Sequence, residues 1–469
     1  MRLILIFIVS GVVITLLLSW IIEWYKYQNR LVSVESVQEL YEDVIRITEN
    51  VYPSEKRLEI AEQIRSSYKN LPMSSKRKFL PIEVFKIVQP LVSTVGDQNF
   101  RFTPPVEPVY SVLPFTVTVI DGIAIVTTSA VESISAGDEI LKINSYTVSE
   151  LIELLLPFTC GENYSIREQQ LGQLFQLIPE ILDRKRHSVG IFYKQREYNV
   201  IVKSSKGENK EKEVVVKTLT AMGYPRESSQ YPALPTRYPF EFTREGDIGV
   251  FKFGTFSLSG TTYNSYREFL LNSLIHNRDL KYVLLDLRGV TSRDFNIFKE
   301  LFEHFVDRKT VVERYISINN TAYNVGILEK YGFDFTQTTD ELLRIKFEHV
   351  FEPREPVIKS DVWVLFDRYT SNAALDFIYT FKKLYKNRTI GEPTLMTINH
   401  STELSSKFDS KAKLSLIFPS AVISDEEHSN VVLEPDYRID MNTQERIKYI
   451  NGENDYMFKR ALEVIRSTK

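Results

Sequence analysis

The spacing of apolar positions changes along the chain, and each change marks a new kind of element. Leu3 to Ile22, "LILIFIVSGVVITLLLSWII", is apolar with no charged interruption. A run of that length matches the ~20 residues of a spanning helix and exceeds the roughly 7–15 of a cleavable signal core. Residues 31–95 then repeat apolar positions at helical spacing, as in "SVQELYEDVIRITENVY" and "SEKRLEIAEQIRSSYKNL".

From residue 100 to 203 alternation takes over. "FTVTVIDGIAIVTT" predicts two strands around an Asp121-Gly122 turn, and "ISAGDEILKINSYTVSELIELLL" predicts a strand at Glu139 to Ile143 followed by a helix. A helix over about Ile166 to Leu182 leads to strands at Ser188–Tyr193 and Glu197–Lys203. "SSKGENKEKE" and the proline-rich "YPRESSQYPALPTRYP" carry no period and read as linker.

Beyond Gly246 strands and helices alternate. "IGVFKFGTF", "YVLLDLRG", "DVWVLFD" and "RTIGEP" are strand-like; "TYNSYREFLLNSLIHN", "DFNIFKELFEHFV" and "NAALDFIYTFKKLY" are helical. An irregular insert separates "DFNIFKELFEHFV" from "DVWVLFD". Strands joined by helices of this length predict a mainly parallel sheet covered by helices.

Composition narrows this picture. A chain of 469 residues, 43% hydrophobic and 25% charged, is globular and long enough for two or three domains. A net charge of −3 gives no basic footprint for nucleic acid. The single cysteine, Cys160, excludes an intramolecular disulfide and a multi-thiolate metal site, and reads as a small buried residue. No histidine pair or carboxylate cluster has ligand spacing, so neither metal nor cofactor is expected. Trp20, Trp24, Tyr25 and Tyr27 would form an aromatic belt beside the apolar run, and no small-x-small cleavage site follows. Residues 1–24 therefore read as an uncleaved anchor, although Arg2 on one side and Lys26 and Arg30 on the other leave its orientation open.

Taken in order, "VGDQNFRFTP", "ISAGDEILKINSYTVSEL", "GVFKFGTFS", "YVLLDLRG", "VLFDRYTSNAALDF", "TIGEPT" and "LEPDYRI" resemble the C-terminal processing (tail-specific) serine peptidases. The resemblance implies a crotonase-like α/β core at 246–469, a PDZ-like domain at 100–203, a helical region at 25–99 and a linker at 204–245. It also implies polypeptide partners and a soluble part outside the cytoplasm.

The family's chemistry is interrupted at each expected position. Its nucleophile is the serine of T-x-S-A-A; Thr370, Ala373 and Ala374 match, and Asn372 stands in the serine's place. An amide cannot act as acyl acceptor. The lysine expected after G-E-x-T is Thr397, and the histidine of G-D-x-H is Asn99. The glycine-rich loop that supplies oxyanion donors is cut to Gly289, followed by Val290, Thr291 and Ser292. A degenerate, non-hydrolytic member is the expected reading.

The alternative is an active enzyme using Ser371 with a base such as His400. Ser371 is more simply a helix N-cap, and Asp286 a loop cap. His276 and His304 read as solvated or packed side chains within helices; His187, His349 and His428 share no spacing.

Overall fold

The computed structural model describes residues 31–69, 78–105, 110–182, 195–205, 210–221, 239–254, 258, 261–292, 294–331, 335–337, 341–398, 400–425, 432–450 and 455–468. The expected anchor at 1–24, the strand expected at Ser188–Tyr193, and His187 and His428 lie outside these residues. Among the described residues no helix is long and apolar enough to cross a membrane. The chain divides into two compact units, the first built from 1–49, 58–230 and 406–418, the second from 50–57, 231–405 and 419–469.

The first unit opens with helices. α1 (Val34–Asn50), α2 (Arg57–Lys69) and α3 (Pro81–Val92) match the helical spacing of the sequence. In α1, Val37, Leu40, Tyr41, Val44 and Thr48 are buried, which is the i, i+3, i+4 stripe of a helix facing a core.

An antiparallel sheet follows, in the order β5-β4-β3-β2-β1. Its strands are β1 (Phe115–Ile120), β2 (Ile123–Ser129), β3 (Glu139–Ile143), β4 (Glu197–Lys203) and β5 (Glu211–Lys217). The β1–β2 hairpin closes through Asp121 (φ 50°) and Gly122 (φ 80°), the left-handed pair that an Asp-Gly turn provides. β3 is followed by α4 (Val148–Leu155), whose Thr147 and Glu150 form a reciprocal capping box. The predicted helix over 166–182 is broken into α5 (Tyr164–Gln169), α6 (Leu171–Gln176) and a last turn at Ile178–Ile181. Pro179 enters the break at the start of that turn, where its missing N–H is harmless. The span 204–245 read as linker holds β5, because Glu211–Lys217 pairs with β4 over its whole length. Alternation within β5 was hidden by its charges: Glu211, Glu213 and Lys217 are exposed at a sheet edge, while Lys212 shares the face of Val214 and Val216.

The second unit carries a six-stranded sheet. Its strands are β6 (Phe240–Glu245), β7 (Ile248–Phe253), β8 (Tyr282–Asp286), β11 (Asp361–Phe366), β12 (Thr389–Gly391) and the short pair Tyr437–Arg438, in that order. β6 is antiparallel to β7; every other neighbour is parallel. The crossovers contain α7 (Thr261–Ile275), α8 (Asn296–Phe302) and α10 (Ala373–Leu384). Successive side chains of each strand point to opposite faces. Ile248, Val250, Tyr282, Leu284, Trp363 and Leu365 face α11 (Tyr456–Ser467) through Met457, Ala461, Leu462 and Ile465. An aromatic cluster ties α8 to α10, with Phe298 and Phe302 placed 5.4 and 5.7 Å from Phe377 and Phe302 placed 5.6 Å from Phe381. Each such side chain contributes ~2–3 kcal/mol of burial.

The segment read as an irregular insert is regular. β9 (Thr310–Asn319) and β10 (Leu342–Phe351) pair antiparallel over ten residues, with α9 (Ala322–Tyr331) between them. Exposed charges, Glu313 on β9 and Lys346 and Glu348 on β10, mask the strand period, as does the buried Arg314.

Candidate active site

β11 leaves the sheet at Phe366, the chain turns through residues 367–372, and α10 begins at Ala373. Asn372 sits at the apex with φ 57° and ψ −129°. A non-glycine residue held there costs about 1–3 kcal/mol. Such a strained strand-to-helix turn is the device that exposes a nucleophile in hydrolases. Here its tip is an amide, whose Nδ2 donates to the Thr291 carbonyl at 3.1 Å.

Two stretches, 290–292 and 371–373, run side by side at this turn. The Ser371 amide donates to Val290 O at 3.0 Å and the Ala373 amide to Ser292 O at 2.9 Å. Gly289, in left-handed backbone at φ 64°, donates its amide to Asp367 Oδ1 at 2.9 Å. The Val290 amide donates to Leu287 O at 3.2 Å. The Gly289 and Val290 amides of this oxyanion-loop remnant are thus committed to protein acceptors.

Ser371 is not the helix cap expected of it. Asn372 occupies the cap position and no side chain caps the helix. The left-handed step at Asn372 swings the chain, so Ser371 points inward and is 1% exposed. Its hydroxyl accepts from Asn372 Nδ2 at 3.4 Å, and no His, Lys or carboxylate among the described residues hydrogen-bonds to it.

Beneath the turn lies Asp367, which the sequence reading did not single out. It is 1% exposed and accepts from the amides of Gly289 and Tyr369 at 2.9 and 3.1 Å, with the Thr370 hydroxyl at 3.0 Å. Burial pushes its carboxyl up to about 6, opposed first by the Gly289 amide and reinforced by nearby Glu392. An aspartate immediately after a strand's last apolar position, followed by Thr at i+3, is an Asx-type turn signal that would have found it.

The G-E-x-T turn is structural. A Cβ on Gly391 would stand 1.7 Å from Phe366 O, and its φ is 138°, so only glycine fits. Glu392 pairs with Arg446 at 2.6 Å. The Thr394 hydroxyl donates to Met396 O and accepts from the Leu433 amide, and Thr397 bridges antiparallel to Val432. Thr397 brings a hydroxyl to the lysine position. In the "LEPDYRI" stretch, Asp436 accepts from the Arg388 and Thr389 amides at 3.0 Å and from Lys382 at 2.7 Å.

Asn99 belongs to the first unit, whereas Ser371, Asn372, Thr397 and Gly289 belong to the second. Asn99 is half-buried, and its amide donates to Asp97 Oδ1 at 2.7 Å in an Asx turn. His400 begins a strand, His400–Asp409. Asp286 grips Arg288 at 2.6 Å, and Arg288 reaches Asp455 at 2.6 Å, so this acid anchors a network. His276 is exposed with Nδ1 2.7 Å from Asn272 O; His304 is buried, its Nδ1 3.1 Å from two carbonyls. His349 stacks on Phe295 at 3.7 Å and meets Asp376 at 2.7 Å, while fully buried Arg314 takes the other oxygen of Asp376 at 2.6 Å. That trio was invisible because Arg314 and His349 lie in the segment read as irregular. Among the described residues no group of acids, histidines and cysteine could hold a metal.

This combination of sheet, elbow and clamped loops is a known one: the chain has the fold of mature CPAF. Mature CPAF is similar at a TM-score of 0.63 and 13% identity, covering 92% of this chain and 98% of that one. Mature CPAF complexed with lactacystin gives 0.60 at 13% identity, over 92% and 98%. The photosystem II D1 C-terminal processing protease is a looser likeness, at 0.41 and 13% identity over 90% and 98%. No protein-family model and no curated protein matches the sequence.

Proposed function

We propose that the chain is a tail-specific peptidase homologue that binds polypeptide segments or protein partners without cleaving them. One observation carries the reading: the elbow presents Asn372 while the amides of Gly289, Val290, Ser371 and Ala373 are all spent on protein acceptors. Acyl transfer needs a nucleophile, a base and open donors for the oxyanion. An amide at the apex, a threonine at the lysine position and an asparagine at the histidine position supply none of these.

The reading also carries a crotonase-like core, a PDZ-like fold for 100–203, and a tether through residues 1–24 with the rest outside the cytoplasm. Motif order and the apolar N-terminal run support these parts.

Purified protein is expected to hold unfolded casein in a pull-down without shortening it, and to take no fluorophosphonate label. Turnover that disappears in Ser371→Ala would establish the rival reading of an active enzyme. The tether predicts carbonate-resistant membrane pelleting that is lost when residues 1–24 are removed; unchanged pelleting would reject it.

A further inference from the structure

We infer that the outer edge of β1 is occupied by the chain's own α5–α6 segment and is closed to polypeptides in trans. Among the described residues β1 ends its sheet and pairs only with β2, leaving a second edge. A sheet edge flanked by a helix is where an extended peptide adds as a further strand, its terminal carboxylate received by backbone amides.

Here that space is filled from within. α6 packs along β1 and also touches α4. Leu171, Leu174 and Phe175 of α6 are buried, as are all six residues of β1. Both ends of the strand are clamped by the same segment. Ahead of β1, the Leu113 amide donates to Gln176 O at 3.0 Å. Beyond it, the Glu168 carboxylate accepts from the Asp121 and Gly122 amides at 3.2 and 2.6 Å. Glu168 is 5% exposed, so these are sheltered, charge-assisted bonds. The Leu113 amide, which would meet an incoming carboxylate, is already satisfied.

A helix gives β1 no ladder of hydrogen bonds, so it closes the edge by apolar cover and by its two end clamps. Polypeptide binding by this chain then uses another surface. The inference stands whether or not the chain hydrolyses anything.

The test combines amide exchange with a binding titration on the purified protein. The probe is a fluorescein-labelled synthetic peptide copying residues 164–177 with a free C-terminus. In the wild type, the Leu113, Asp121 and Gly122 amides should be protected and the peptide should not bind. Glu168→Gln should speed exchange at Asp121 and Gly122 by about tenfold while Leu113 stays protected. A Glu168→Ala, Leu174→Asp double variant that keeps its fold should bind the peptide. Saturable binding to the wild type, fast wild-type exchange at the three amides, or a folded double variant that fails to bind would each overturn the inference. Where the double variant does not fold, the wild-type and Glu168→Gln exchange patterns decide.

Discussion

The Ala373 amide donates to the Ser292 carbonyl at 2.9 Å, so the first donor of α10 is turned onto the neighbouring loop. In a hydrolase with this kind of elbow, the amide after the nucleophile is a donor to the oxyanion. Restoring the missing hydroxyl alone therefore restores nothing. Asn372→Ser is expected to remain unlabelled by fluorophosphonate and inert toward casein, losing about 1 kcal/mol with the Thr291 contact. Labelling of that variant would mean that a base and open donors exist after all.

Backbone strain at Asn372 separates two conservative truncations. Both Asn372→Ala and Asn372→Gly remove the side-chain bond to Thr291 O. Only glycine adopts φ 57°, ψ −129° without a Cβ penalty. Glycine should be more stable than alanine there by about 1 kcal/mol in urea unfolding. Equal midpoints would show a relaxed turn.

Asp367 makes stability depend on pH in an unusual direction. Its folded value of about 6 lies above the ~3.9 of an unfolded aspartate, so the native state binds the extra proton between them. The stabilisation from that proton is full below pH ~4 and is lost as pH rises through about 6. Asp367→Asn keeps an acceptor for Gly289 and Tyr369 and should flatten this part of the profile, a difference of about 3 kcal/mol at most. An identical profile for the variant between pH 4 and 7, measured by chemical unfolding, would assign the dependence to other groups.

Asp376 neutralises Arg314, a cation with no exposed surface, and also holds His349. Its loss leaves a buried guanidinium without its acid. Asp376→Ala should cost about 3–5 kcal/mol, while Arg314→Met with Asp376→Leu should recover much of it. Additive losses in that double variant would contradict a coupled pair.

Periodicity revealed the elements that bury one continuous stripe or face. β7, β8 and β11 are apolar runs because a sheet covered on both sides buries them at nearly every position. The strands that escaped notice, β5, β9 and β10, alternate with charges on a solvent face. Charge density there resembled a linker or an irregular loop. At the candidate site the replaced residues Asn372, Asn99 and Thr397 were readable, since motif register fixes position. Hydrogen-bond commitments were not readable. That Gly289 serves Asp367, or that Ser371 precedes the cap, depends on how two loops meet in space.

One last consequence concerns Cys160, which is fully buried beside Gln89, with burial pushing its thiol up to about 12. As the only sulfhydryl in the chain, it is a built-in stopwatch. A thiol-reactive dye can reach it only during moments when the first unit opens, so the rate of colour development counts those openings without any engineered probe.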